Sequence, residues 1–151
     1  MQTNINEFIK RVEEAVKQEQ SLMMPGALEG RRLLNERHVA PMRVFLDDKR
    51  HPEDIYPKEK DWIWVKTAWM AIQLLAIGDV VEISLDHDLG CEWDGNGYDV
   101  MKWIEREIRE ENFGEFTLPE IKFHSQNPVG VLKMRAALDS IYNFLEAKRY
   151  E

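Results

Sequence analysis

The sequence predicts an α/β domain in which a parallel sheet of about four strands is flanked by helices. Short apolar runs alternate with segments of helical periodicity from residue 42 onward. Strands that alternate with helices in this way form parallel sheets joined by right-handed crossovers. The chain has 151 residues, of which 44% are apolar, and it is therefore long enough to bury the core of one such domain.

Residues 1–40 precede the alternation and are predicted to form an N-terminal helix and a connector, followed by the α/β domain over 41–151. Apolar residues recur at helical spacing within 4–20, and Asn4 with Glu7 has the form of a capping box. This amphipathic helix is a candidate for docking on the domain or for joining two copies in a homo-oligomer.

The four predicted strands are Met42–Asp47, Trp62–Lys66, Val80–Leu85 and Glu120–Phe123. All are short apolar runs, as expected of strands in a buried parallel sheet. Helices are predicted over 68–77, from Gly97 onward, and after Asn127, which is an N-cap residue followed by proline. Residues 48–60 are predicted to form a polar loop.

Polar side chains are concentrated at the ends of three of these strands. The three ends are Asp47–Asp48, Asp86–Asp88 and His124–Asn127. Parallel strands point their C-terminal ends to one edge of the sheet, where ligands bind near a topological switch point. If the strand order is 2-1-3-4, as we predict, the three ends are neighbours and form one shared pocket.

Asp47, Asp48 and Asp86 are the predicted ligands of a metal ion. Clustered carboxylates repel one another unless a cation neutralises them. Hard oxygen ligands of this kind suit Mg²⁺, or another divalent cation, with several retained waters. The alternative is that the two adjacent aspartates only begin or cap a solvated turn.

His87 and His124 are the predicted acid and base, and Asp86 is placed in the same catalytic set. An imidazole near its ordinary pKa serves either role at neutral pH. Two imidazoles flanking a phosphorus would activate the attacking oxygen and protonate the leaving one, with Asp88 orienting a histidine. The alternative is that a histidine at a strand end is structural.

Arg50, Asp88, Ser125 and Asn127 are the predicted ligand-binding residues. Ser125 and Asn127 lie just before a predicted helix, whose free N–H groups and dipole favour an anion such as phosphate. Asn127 is equally suited to act only as the N-cap. The guanidinium of Arg50 has a geometry that matches phosphate oxygens.

Composition restricts the partners and the location. The net charge of −8 disfavours general nucleic-acid binding, although a small phosphorylated ligand remains compatible with it. Cys91 is the single cysteine, which suits a reducing compartment. The charged N-terminus lacks the apolar core of a signal peptide, and residues 68–77 are too few to span a bilayer. We therefore expect a cytoplasmic protein without membrane association.

Three separated motifs resemble the cyclic-phosphate processing receiver domain family. They are LDDKR from residue 46, ISLDHDLG from residue 83 and HSQNPVG from residue 124, and the resemblance covers roughly residues 42–140. It implies a receiver-like (flavodoxin-like) fold similar to that of two-component response regulators. In such receivers, acids matching Asp47 and Asp48 bind Mg²⁺, and an acid matching Asp86 accepts the phosphoryl group.

The chain also departs from ordinary receivers. Ser125 matches their Ser/Thr position, but no fifth strand with the receiver lysine is found, and two histidines have appeared. The resemblance therefore implies cyclic-phosphate handling in place of phosphorelay signalling. The leading hypothesis is a phosphodiesterase, a hydrolase acting on a cyclic phosphate of a nucleotide or RNA end. The alternatives are a non-enzymatic protein that sequesters a cyclic nucleotide and a degenerate receiver that acts as an interaction module.

Overall fold

The computed structural model describes residues 41–77, 79–110 and 118–151. The predictions made for residues 1–40, including the helix, the connector and the role in self-association, lie outside the described residues. The family resemblance begins at residue 42 and therefore falls almost entirely on the described part of the chain.

The strands are β1 (Met42–Leu46), β2 (Trp62–Val65), β3 (Val80–Leu85) and β4 (Glu120–Phe123). All pairings between them are parallel, and they form one sheet in the order β2-β1-β3-β4. The predicted fold class and strand order are confirmed. β1 and β2 each end one residue earlier than predicted, which leaves Asp47 as the first residue beyond its strand.

The helices are α1 (Pro52–Ile55), α2 (Ala68–Ile77), α3 (Gly97–Arg109) and α4 (Pro128–Arg149), and a 3₁₀ turn covers Glu92–Asp94. The prediction of a loop over residues 48–60 is wrong where α1 forms. His51 caps α1 by accepting a hydrogen bond from the backbone N–H of Glu53, and the Asp54 carboxylate accepts one from the backbone N–H of His51. Within the described ranges, none of the helices combines the length and apolar character needed to cross a bilayer.

One face of the sheet is apolar and carries the hydrophobic core. Successive side chains of a strand point to opposite faces, so each strand supplies alternate residues to this core. The core side chains of β1, β2 and β3 include Val44, Leu46, Ile63, Val65, Ile83 and Leu85. Buried residues of α2, α3 and α4, such as Leu74, Ile104 and Met134, pack against them. These three helices therefore cover the same face.

The opposite face is polar and aromatic. Glu82, in the middle of β3, forms ion pairs with Arg43 of β1 at 2.7 Å and with Lys122 of β4 at 2.5 Å. The Arg43 guanidinium also lies 4.4 Å from the centre of the Trp62 ring, on which Tyr56 stacks. Continuing the alternation beyond the strand ends predicts that Asp47, Asp86 and His124 extend this polar face, with His87 on the helix-covered face.

The charged network predicts how stability changes with pH. Burial raises the pKa of Glu82, but hydrogen bonds from Lys122 and Arg43 outweigh it and hold the pKa below its ordinary 4.5. The folded state therefore releases this proton more readily than the unfolded chain does. The resulting stabilisation is present above the ordinary pKa and is lost as the pH falls through the lowered one.

The variant Glu82→Gln should reduce the free energy of unfolding at pH 7 by about 1–3 kcal/mol, because both cations lose a charged partner. Its stability should also fall less than that of the wild type between about pH 5 and about pH 3. Urea denaturation followed by circular dichroism measures both effects. Glu146→Gln, on the exposed surface of α4, is the control. Equal pH dependence in wild type and Glu82→Gln would contradict this account.

Candidate functional site

Three carboxylates meet at the C-terminal edge of the sheet. Asp47 and Asp48 follow β1, Asp86 follows β3, and one carboxylate oxygen from each lies within 4.8 Å of the others. Asp47 and Asp86 are buried, and Asp48 is half-buried. The predicted metal ligands are therefore brought together, and we refer to these three residues as the acidic cluster.

The Asp47 carboxylate accepts four hydrogen bonds. Its Oδ1 accepts from the backbone N–H groups of Lys49 at 2.9 Å and Arg50 at 2.8 Å. Its Oδ2 accepts from Nε of Arg50 at 2.9 Å and pairs with Nε2 of His124 at 3.1 Å. Burial raises the pKa of Asp47, but the backbone N–H groups of Arg50 and Lys49 and the Arg50 charge outweigh it, so the pKa lies below its usual range. Asp47 is therefore a fully hydrogen-bonded anion.

Arg50 contacts two members of the acidic cluster. Besides its bond to Asp47, its Nη2 lies 3.5 Å from Oδ2 of Asp86 and donates to the backbone carbonyl of His124 at 3.2 Å. The guanidinium thus places a fixed positive charge between two buried carboxylates. This contact neutralises part of the repulsion within the cluster.

Asp48 and Asp86 retain oxygens that a cation could use. Among the described residues, the Asp48 carboxylate accepts no hydrogen bond, and the Asp86 carboxylate has no closer polar contact than the 3.5 Å ion pair with Arg50. Gly90 has a φ of 75°, and a Cβ there would lie 2.7 Å from Oδ2 of Asp48. The loop after β3 therefore approaches this carboxylate as closely as only glycine allows. The donor set fits a hard divalent cation at Asp48 and Asp86, with the saturated Asp47 beside them.

His124 is enclosed within the polar face. Its Nδ1 lies 2.7 Å from Oγ of Ser84, its Nε2 bonds Asp47, and its ring stacks on Phe45 with centroids 4.3 Å apart. The side chain is only 2% exposed. Burial lowers the pKa of His124 by more than Asp47 raises it, so the ring is neutral at neutral pH. A ligand could reach a ring nitrogen only if one of these two hydrogen bonds were broken. The imidazole also has almost no exposed surface through which it could act as the predicted acid or base.

Two residues of this enclosure were not among the predicted site residues. The Ser84 hydroxyl that meets His124 also lies 2.8 Å from the Tyr56 hydroxyl. A serine within an apolar strand, two positions before Asp86 and thus on the same face, was the signal that would have identified Ser84. Nothing comparable marks Tyr56, because the loop after α1 brings it to the sheet only in the folded chain.

His87 belongs to a second cluster, at the start of α4. Its Nδ1 lies 2.9 Å from Oδ1 of Asp88, while Asn127 donates its side-chain N–H to Oδ2 of Asp88 at 3.0 Å. These two bonds, that from His87 first, hold the pKa of Asp88 below its usual range. Nε2 of His87 forms no hydrogen bond with the described residues. Asp88 therefore orients an imidazole whose second nitrogen is available.

Asn127 and Ser125 organise the backbone where α4 begins. Oδ1 of Asn127 accepts the N–H of Gly130 at 3.0 Å, as an N-cap does, while its amide holds Asp88. Oγ of Ser125 accepts the N–H of Asn127 at 3.1 Å. The N-cap expected at Asn127 is present. Phosphate binding by Ser125 and Asn127 stays a prediction.

The structure does not join the two histidines in one hydrogen-bonded group. His124 lies with Ser84 on the polar face, whereas His87 packs on the first turn of α4, next to the helix-covered face. Among the described residues the two imidazoles have no hydrogen-bond partner in common. That both flank one phosphorus stays a prediction.

Because His87 packs on α4, we predict that replacing Gly130 by alanine destabilises the domain, although this change usually stabilises a helix. Alanine in place of glycine within a helix usually stabilises it by roughly 0.5–1 kcal/mol. At Gly130 the added Cβ would lie 2.3 Å from Cγ of His87, so the ring must move. We expect Gly130→Ala to destabilise the domain by about 1–3 kcal/mol and to break the bond between His87 and Asp88.

Urea denaturation and the ¹⁵N resonances of the His87 ring test this expectation. Val129→Ala is the matched control, because Val129 lies in the same turn and is 61% exposed. If Gly130→Ala were as stable as the wild type, with the His87 resonances unmoved, the close packing of the ring on α4 would be disproved.

The same residues are recognised by comparison with known families. The family model described as the cyclic-phosphate processing receiver domain matches residues 42–140, which is more than half of the chain and includes all four strands. The comparisons with curated proteins and with solved structures gave no match. By its match over the sheet and all three polar strand ends, the chain belongs to the cyclic-phosphate processing receiver domain family.

Proposed function

We propose that this domain binds a small cyclic phosphate at the C-terminal edge of its sheet and opens the ring by hydrolysis. The observation that carries the proposal is the acidic cluster, in which two strand ends deliver carboxylates within 4.8 Å of one another. Membership of a family associated with cyclic-phosphate processing supports the substrate class. The net charge of −8 favours a small ligand, such as a nucleotide or the end of an RNA, over a long polyanion.

Asp48 and Asp86 would hold Mg²⁺ or another divalent cation directly, because their oxygens are the ones not already satisfied by hydrogen bonds. Asp47 would add negative charge beside it while remaining bonded to Arg50 and His124. When bound, the cation would offset negative charge on the phosphate oxygens. Asp86 belongs to the acidic cluster and directly precedes His87. Its contribution to catalysis would be to hold the cation.

Arg50 is the side chain best placed to hold the phosphate. Its Nη1 donates no hydrogen bond to the described residues, while its other nitrogens anchor it to Asp47 and to the His124 carbonyl. A guanidinium fixed in this way presents a preorganised donor, which costs little entropy on binding. Ser125, Asn127 and the backbone where α4 begins would complete the predicted phosphate contacts.

His87 is the proposed acid and base. Asp88 fixes its Nδ1, which leaves Nε2 to take a proton from the attacking water and to give one to the leaving oxygen. The water oxygen would form the new bond to phosphorus as one ring P–O bond breaks, so the product is a phosphate monoester. His124 is not given this role, because both of its nitrogens are already bonded within the protein.

The enclosure of His124 also favours a second candidate, a binder without turnover. A site with one accessible imidazole has fewer groups for proton transfer than the two that the sequence predicted. The same pocket would then sequester a cyclic nucleotide. Measuring binding and turnover in one sample separates the two functions.

Turnover is tested by incubating the protein with 2′,3′- and 3′,5′-cyclic nucleotides plus Mg²⁺ or Mn²⁺, and following monoesters by ³¹P NMR. His87→Gln should lower the turnover rate by about 100-fold or more while leaving ligand binding intact. Lys133→Ala, exposed on α4, is the control. Recovery of intact ligand after tight binding would support the binder, and absence of both binding and turnover would sink the proposal.

Cation binding is tested by calorimetry with Mg²⁺ or Mn²⁺ alone. Asp48→Asn and Asp86→Asn should each weaken binding by about tenfold or more, since each removes a charged ligand. Arg50→Ala should have the opposite effect on the cation and tighten its binding, because a competing positive charge is removed. The same variant should weaken binding of the cyclic phosphate. Unchanged cation affinity in all three variants would argue against this site.

A further inference from the structure

We propose that His124 is a positioning residue that fixes the Asp47 carboxylate and Arg50, and that Ser84 and Tyr56 in turn fix its imidazole. The inference rests on the proposed function only in giving Asp47 and Arg50 a place beside the cation and the phosphate. It differs from the sequence-based hypothesis, in which His124 exchanges protons with the ligand.

A continuous hydrogen-bonded chain carries the inference. The Tyr56 hydroxyl lies 2.8 Å from Oγ of Ser84, and that oxygen lies 2.7 Å from Nδ1 of His124. On the other side of the ring, Nε2 lies 3.1 Å from Oδ2 of Asp47. This series of hydrogen bonds therefore links the loop after α1 to the acidic cluster through β3 and the end of β4.

The direction of the hydrogens follows from the bonding capacity of Asp47. An ionised carboxylate only accepts, and Asp47 already accepts two backbone N–H groups and the Arg50 side chain. Nε2 of His124 must therefore carry the proton in their shared bond. In a neutral ring Nδ1 is then an acceptor, so Ser84 donates to it and accepts from the Tyr56 hydroxyl. The hydrogens of the Tyr56 hydroxyl, the Ser84 hydroxyl and Nε2 of His124 are each assigned to one bond in this way.

The surroundings of the His124 ring favour a positioning role over proton exchange with a ligand. The side chain of His124 is 2% exposed and its ring stacks on Phe45 at an interplanar angle of 9°, so the imidazole is almost closed to a ligand. Its backbone carbonyl accepts from Nη2 of Arg50 at 3.2 Å. One residue thus holds Asp47 through its ring and Arg50 through its main chain. Displacing the ring would remove the hydrogen bond to Asp47, whereas the bond from Arg50 goes to the main chain and does not depend on the imidazole.

Two amide substitutions distinguish the roles. The amide nitrogen of His124→Gln can take the place of Nε2, whereas the shorter side chain of His124→Asn reaches only the place of Nδ1. Positioning requires a donor to Asp47, so the glutamine variant should retain function that the asparagine variant loses. If His124 exchanged protons with the substrate, both variants would lose function equally, because neither amide can act as an acid or a base.

The first measurement is independent of cation and ligand. Long-range ¹⁵N–¹H NMR should show the Nε2–H tautomer of His124 in the wild type, and a shifted Nδ1 resonance in Ser84→Ala, where that nitrogen loses its hydrogen-bond donor. The carboxyl ¹³C resonance of Asp47 should move in His124→Asn and stay near its wild-type position in His124→Gln. An Nδ1–H tautomer in the wild type, or an Asp47 resonance unmoved in His124→Asn, would overturn the inference.

The second measurement connects positioning to the site. Mg²⁺ affinity should fall by about tenfold in His124→Asn and by less than about threefold in His124→Gln, as expected for a residue that orients a charged group beside the cation. Tyr56→Phe, at the far end of the chain, should have the smallest effect. Equal losses in the two amide variants would contradict positioning.

Failure of the proposed function is recognised separately. If the wild type bound neither Mg²⁺ nor Mn²⁺ and no cyclic phosphate, the proposed function would fall. The tautomer of His124 and the Asp47 resonance would still decide whether the hydrogen-bonded chain fixes the carboxylate.

Discussion

A single buried carboxylate holds the C-terminal edge of the sheet together. Asp47 is 1% exposed, and a charge so enclosed persists only when donors satisfy it. Its four donors come from the backbone of the next loop, from the Arg50 guanidinium and from the imidazole that follows β4. Satisfying this one anion therefore draws together the end of β1, the loop after it and the end of β4. The positions of Asp86 and Asp48 relative to them follow from the register of β1 with β3 and from the close approach of Gly90.

The two faces of the sheet differ in polarity. Strands of parallel sheets are usually apolar on both faces, because helices cover each of them. Here α2, α3 and α4 cover one face, while the other bears the Glu82 network and the chain from Tyr56 to Asp47. A polar face that continues beyond the strand ends leads directly into the acidic cluster. The hydrophobic core and the carboxylates of Asp47 and Asp86 therefore lie on different sides of the same strands.

The separation of the two histidines follows from the same alternation. Asp86 continues the polar side of β3, so the next residue, His87, turns toward α4 and is held by Asp88. His124 continues the polar side of β4 and is enclosed against Phe45. One imidazole thus keeps an available nitrogen at the surface, while the other has both nitrogens bonded inside. Burial and hydrogen bonding give two residues of one type different chemical capacities.

The sequence by itself determined the fold class and the three polar strand ends, because apolar periodicity and parallel-strand geometry are local or general properties of the chain. The strand order 2-1-3-4 came with the receiver-like fold that the resemblance implies, and the structure confirms it. The sequence also predicted that Asp47, Asp48 and Asp86 would meet, which the structure brings about. Only the tertiary structure decided which oxygens are already occupied, since the donors to Asp47 come from positions as distant as His124. It likewise decided the environment of each imidazole and the part of Tyr56, because burial depends on packing between elements that no local pattern encodes.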